Sequence, residues 1–248
     1  LSLAPSTIAM TVASVRGYTS YPIAHSPLVL SGSSDGNSVT GNIYVENPPA
    51  SGYTRSIRIT KSGSGSWSIQ GVVTTAESVI VNDGTLTLAG ASSYNAATTV
   101  NGGTLNVNGS LSSANSITVN SGGALGGTGT IGRSVTVNSG GAVTPGVTTG
   151  TLTVNNNVTL AAGGALDIDV SGSGNDKLDV SSTLNITGST LNVNGSKNGL
   201  YVIADYGTLT GTFAAVNGLP TFGEVIYDHN GGTSIAVFVP PLTMFMFR

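Results

Sequence analysis

The chain has no cysteine among its 248 residues. That excludes a disulfide framework, a thiolate zinc site and a cysteine nucleophile. Charge is scarce as well: 8 Lys and Arg with 11 Asp and Glu, or 8% of residues, against roughly 25% in an ordinary soluble domain. The net charge of −3 and the scatter of the eight cations leave no basic cluster for a nucleic-acid backbone. No apolar run reaches the roughly 18 residues of a membrane-spanning helix. The longest candidate, Ile235–Phe247, is split by Pro240 and Pro241. Only two histidines are present, His25 and His229, and no Gly-x-Ser-x-Gly elbow stands in a strand-to-helix context. These absences point away from an enzyme, a nucleic-acid partner and a membrane span.

What is present is apolar and rich in glycine. Hydrophobic residues make up 39% of the chain and glycine supplies 36 residues, about twice the usual 7% share. Disordered chains lack branched aliphatics, and collagen needs glycine at every third position; neither description fits.

An internal repeat governs the reading. Val79-Ile-Val-Asn82 recurs as Thr98-Thr-Val-Asn101, Ile117-Thr-Val-Asn120, Val135-Thr-Val-Asn138 and Leu152-Thr-Val-Asn155, so that the asparagines fall at a nearly constant interval. The first four copies lead into a glycine turn and a new apolar start, as in Asp83-Gly-Thr-Leu86 and Gly102-Gly-Thr-Leu105. Within each copy the apolar period is two, the alternation of a strand. A unit of this size cannot bury its inward face alone; stacking successive units does so. The expected fold is therefore all-β: a right-handed parallel β-helix, or β-solenoid. Val81, Val100, Val119 and Val137 are expected to line its interior, and Asn82, Asn101, Asn120 and Asn138 to form a side-chain ladder at the corners. Residues 66–199 suit about seven coils, a rod on the order of 35 Å long at ~4.8 Å per coil. Low charge fits this fold, because stacking in register sets like charges above one another.

Residues 85–109, Thr-Leu-Thr-Leu-Ala-Gly-Ala-Ser-Ser-Tyr-Asn through Leu105-Asn-Val-Asn-Gly109, resemble the passenger-associated repeat of bacterial autotransporters. Leu125–Gly132 and Val135–Gly146 resemble further coils of that family, and the similarity extends over about residues 75–239. The resemblance implies an extracellular or cell-surface protein that displays or scaffolds rather than catalyses. The family's C-terminal translocator barrel is not in this sequence. The start at Leu1, without a methionine or a basic-then-apolar leader, is expected of a mature exported product or a fragment.

The ends differ from the repeat. Residues 1–65 hold five of the nine prolines and are expected to form an N-terminal cap or small β domain. Residues 200–239 are expected to cap the other end, with 240–248 an apolar tail. Both termini carry apolar strand patterns, Ile8, Met10, Val12 and Val15 at one and Leu242, Met244, Phe245 and Phe247 at the other. Exposed apolar termini call for a cover. A terminal strand donated to the next subunit, or open ends stacked head to tail, would build an open filament. The expected partner is thus the protein itself, in a head-to-tail homopolymer.

Other sites are fewer. Asp167, Asp169, Asp176 and Asp179 form an acidic cluster, and Gly172–Leu178 resembles half of a calcium-binding nonapeptide; calcium is the one cofactor these residues suggest. Tyr18, Tyr21, Tyr53 and Trp67 suggest glycan stacking or packing within a cap. The reading of the whole is a non-enzymatic extracellular structural solenoid, a filament or surface-layer subunit. A passenger-like adhesin or carbohydrate-binding surface protein is the alternative.

Overall fold

The structure, a computed structural model, describes residues 1–5, 10–17, 25–45, 56–74, 76–112, 115–171, 174–195 and 197–241. It is a β-solenoid of about eight full turns, with three faces. One rung shows the path. Thr98–Val100 lies on the first face, Gly103–Val107 on the second and Ser110–Leu111 on the third; Ile117–Val119 then begins the next turn. Each strand pairs in parallel with its counterparts in the adjoining turns.

Period-two alternation becomes columns. On the first face Val81, Val100, Val119 and Val137 are in register, and all four are fully buried. On the second face Trp67, Leu86, Leu105, Leu125, Val143, Leu166 and Leu191 form a second buried column. The alternate residues point outward; Thr99, Thr118, Thr136 and Thr159 stand one above another on the first face. Trp67, for which the sequence suggests glycan stacking or packing, is packed in the core, its indole donating to the Ser31 carbonyl at 3.1 Å.

The corner after the first face is sharp. Gly84 and Gly103 take φ of 64° and 66° there, a conformation that a residue with a Cβ enters at a cost. Beside them the asparagine ladder forms as expected. Asn101 donates to Asn82 at 3.0 Å, Asn120 to Asn101 at 2.8 Å, and Asn138 to Asn120 at 2.7 Å.

The fifth repeat copy lies elsewhere. Thr151–Val154 pairs on the third face with Thr130–Ile131 and Lys177–Val180, while Val158–Leu160 continues the first face above Val135–Val137. Asn155 therefore stands outside the ladder. The cause is an insertion: the register partners Val137 and Leu160 lie further apart in sequence than the preceding pair, Val119 and Val137.

The parallel stack also begins well before Ser66. Ser2–Leu3, His25–Leu30 and Ser56–Lys61 carry the first face down to the N-terminus, and Thr11–Val12 and Asn37–Val39 do so on the second. The described part of residues 1–65, expected as an N-terminal cap or small β domain, thus supplies strands of the first two turns and part of the third. At the C-terminal end, Gly199–Thr210 adds a last strand to the third and first faces. Ser234–Val239 then pairs antiparallel with it, and Glu224–Asp228 pairs antiparallel with Ser234–Val239. That hairpin caps the third face with two antiparallel strands, ending the parallel stack there.

Two buried cations brace the stack. Lys61 occupies an inward column between Leu30 and Val81. Arg133 donates to the carbonyls of Ala96 and Tyr94, each at 2.9 Å, and its guanidinium lies 4.8 Å from the Tyr94 ring centroid. Burial pushes the Arg133 guanidinium down and the Tyr94 phenol up from their ordinary values.

Candidate functional site: the rod ends and a polar groove

The N-terminal turn consists of Ser2–Leu3, Thr11–Val12 and Val15–Gly17. Among the described residues no strand pairs beneath it, so one edge of each strand is open. Leu3, Met10 and Val12 pack on the core but remain half-buried, whereas their neighbours one turn up, Leu30 and Val39, are fully buried. Val15 is buried. The apolar strand expected to be free for donation is thus, over Met10–Val15, already part of its own chain's first turn. Ile8, Leu242, Met244, Phe245 and Phe247 lie outside the described residues.

Among the described residues the opposite end is capped on one face only. Thr208–Thr210 on the first face and Ala215–Asn217 on the second have no further strand above them among the described residues. Val216 extends the buried Leu166–Leu191 column and is 38% exposed. Phe222 is 68% exposed and holds φ at 67° in the turn closed by Gly223 N–H donating to the Pro220 carbonyl at 2.8 Å. A bulky residue in that region of backbone space is strained.

The acidic cluster divides. Asp179 sits on the third face, in register with Asp205. Lys177 donates to Asp205 at 2.8 Å and Ser234 donates to it at 2.7 Å. Desolvation pushes Asp205 up, but these partners outweigh it and leave the carboxyl below its ordinary value. Asp167, Asp169 and Asp176 instead border the second face. Among the described residues no three His, Asp or Glu side chains converge in a way that would hold a metal ion. Asp176, nearly fully buried, accepts from the amides of Gly150 at 3.0 Å and Asp169 at 3.1 Å. It ties the loop after Pro145 to the hairpin in which Val170 pairs with Asn175. Burial pushes its carboxyl up from 3.8 to about 6, against the pull of the two amides.

Pro145, Gly146, Val147 and Asp176, from those two segments, help to line a groove of about 380 Å³ on the second face. Its lining is chiefly hydroxyl, amide and carboxylate: Thr104, Asn106, Thr144, Asp167, Asp169 and Asn194. Val147, 64% exposed, stands on its rim. Asn106 and Thr144 close over Gly126, where an added Cβ would come within 2.8 Å of Asn106 Oδ1 and 2.9 Å of Thr144 Oγ1. Sequence reasoning found the aspartates but not Asn106, Thr144, Val147 or Asn194. A signal was available in the spacing, because the register partners Val143, Leu166 and Leu191 stand further apart in sequence than Leu105, Leu125 and Val143 do. Lengthened repeats mark loops on one side of a solenoid.

No protein-family model matches the chain, and no curated protein matches it in sequence.

Proposed function

We propose that this protein is a non-enzymatic extracellular structural solenoid that assembles head to tail with copies of itself, as a filament or surface-layer subunit. The observation that carries the reading is the inequality of the two ends. Among the described residues, one presents three open strand edges over half-buried Leu3, Met10 and Val12, while the other is capped on one face and leaves Val216 and Phe222 exposed. Two unlike surfaces in contact form a heterologous interface, and such an interface runs on rather than closing.

Charge supports head-to-tail order. Residues 167–228 contain seven acidic residues against two basic ones, a net negative stretch that disfavours contact between two C-terminal ends. Since Met10–Val15 is already paired within its own chain, end stacking accounts for the contact better than donation of that strand. The antiparallel strands over the third face break the parallel register there, so the incoming turn seats on the first and second faces. The resemblance of residues 85–109 to autotransporter passenger repeats supports the extracellular setting.

Electron microscopy across a concentration series tests the proposal. Filaments of rod width are expected from the wild type. Val12→Asp and Phe222→Asp are expected to leave single rods with an unchanged circular dichroism spectrum. Single short rods from the wild type at every concentration would reject it.

A further inference from the structure

We propose that the groove on the second face binds a neutral, linear oligosaccharide, independently of end-to-end assembly. Four observations support this. The wall of the solenoid is interrupted at the groove: the loop after Pro145 and the segment that carries Asp176 both contribute to its lining, and Asp176 fastens them together. Its volume, about 380 Å³, lies within the range of small-molecule sites. Its polar side chains belong to different turns. Thr104, Asn106, Thr144, Asp167 and Asn194 come from four of five successive second-face strands, a span of about 19 Å along the axis at the spacing of paired strands. Finally, the lining contains no basic residue.

The ligand class follows from these features. Carboxylates without a basic neighbour repel anions, so acidic glycans, nucleotides and phosphate esters are disfavoured. Few apolar groups face the groove apart from Pro145 and Val147, so a lipid or aromatic ligand would leave polar groups unpaired. A neutral sugar chain presents adjacent hydroxyls that both donate and accept. Asp and Asn side chains meet such pairs with two acceptors or with one acceptor and one donor. Asp167 already shows this capacity, accepting from Asn192 at 2.5 Å while keeping acceptor sites toward the groove. An extended chain would meet hydrogen-bonding groups from four turns of the solenoid, with Val147 against the apolar face of one ring.

Isothermal titration with cellohexaose, laminarihexaose and mannohexaose tests the site. At least one neutral hexasaccharide is expected to bind, while oligogalacturonate does not. The variants Asn106→Ala with Thr144→Val, and separately Asp169→Lys, are expected to weaken binding at least tenfold without moving the melting temperature. A Val12→Asp protein is expected to bind like the wild type, which separates this site from the assembly reading. The proposal is overturned if no neutral hexasaccharide binds at millimolar concentration, if the groove variants bind as the wild type does, or if only spermine or calcium binds.

Discussion

The ammonium of Lys61 donates to the main-chain carbonyl of Asp83, one turn further along, at 2.9 Å. It also donates to the carbonyls of Ser62 at 3.2 Å and Gly63 at 2.6 Å. A lysine at a fully buried core position thus holds two consecutive corners together. Burial pushes its ammonium below the ordinary value, against the opposing pull of Asp83 and Asp35. The space is tight, since a Cβ on Gly84 would come within 2.5 Å of the nitrogen.

Lys61→Met keeps the apolar stem and removes the donor. Three corner carbonyls then lose their partner, and a loss of about 1–3 kcal/mol is expected. Thermal melting checks it; an unchanged or raised melting temperature would show that desolvation of the ammonium outweighs its bonds.

The asparagine ladder makes a graded prediction. Asn101 and Asn120 each take part in two rungs, and Asn82 and Asn138 in one. At about 0.5–1.5 kcal/mol per bond, Asn101→Ala is expected to cost roughly twice as much as Asn82→Ala. Denaturant titration measures both, and equal losses would mean that the ladder contributes nothing beyond the single corner.

Arg133 is expected to resist conservative replacement. Its two amino groups reach two carbonyls while its plane lies over Tyr94, a geometry that an ammonium cannot reproduce. Arg133→Lys should cost on the order of 2–4 kcal/mol, read as a lower denaturant midpoint. A loss confined to a few tenths would show that one carbonyl contact is sufficient.

Asp176 gives the fold an unusual response to acid. Its folded-state value is about 6, against 3.8 for the ordinary group. Between those values the folded chain binds the proton more tightly than the unfolded chain does. The contribution of Asp176 to stability is therefore greatest below about pH 4 and is lost as the pH rises to 6. Its size is on the order of 2–3 kcal/mol. Asp176→Asn should remove this dependence, so the difference in melting temperature between the two proteins should change across pH 4 to 6 and level off above it. A constant difference would refute the shift.

The solenoid was legible in the sequence where one tetrapeptide recurred at nearly constant spacing. There the buried valines and the asparagine ladder could be named in advance. Legibility ended where spacing changed. Leu3, Leu30 and Lys61 occupy one column, but their intervals in sequence are unequal and longer than that of the repeat, so the first turns carried no visible period. Lys61 further disguised its column, because a lysine reads as a surface residue until its caging carbonyls are seen. Leu152-Thr-Val-Asn155 misled for the opposite reason: the motif was intact, but an insertion had carried it onto another face. The groove was hidden because its residues come from separate turns and meet only through stacking.

The antiparallel cap on the third face also has a consequence in time. Each turn leans mainly on its immediate neighbours, so the stack can open progressively from an end. At the C-terminal end the antiparallel strands Ser234–Val239 and Glu224–Asp228 must detach before the last third-face strand is released. At the N-terminal end no such latch appears among the described residues, and the first turn can peel away alone. Amide hydrogen exchange should therefore be fastest at Thr11–Val12 and slow progressively toward Ile117–Val119, where Arg133 clasps turns that are not adjacent. Under stress such a rod does not loosen evenly; it unzips from one end, and the next subunit in a filament would sit on that end.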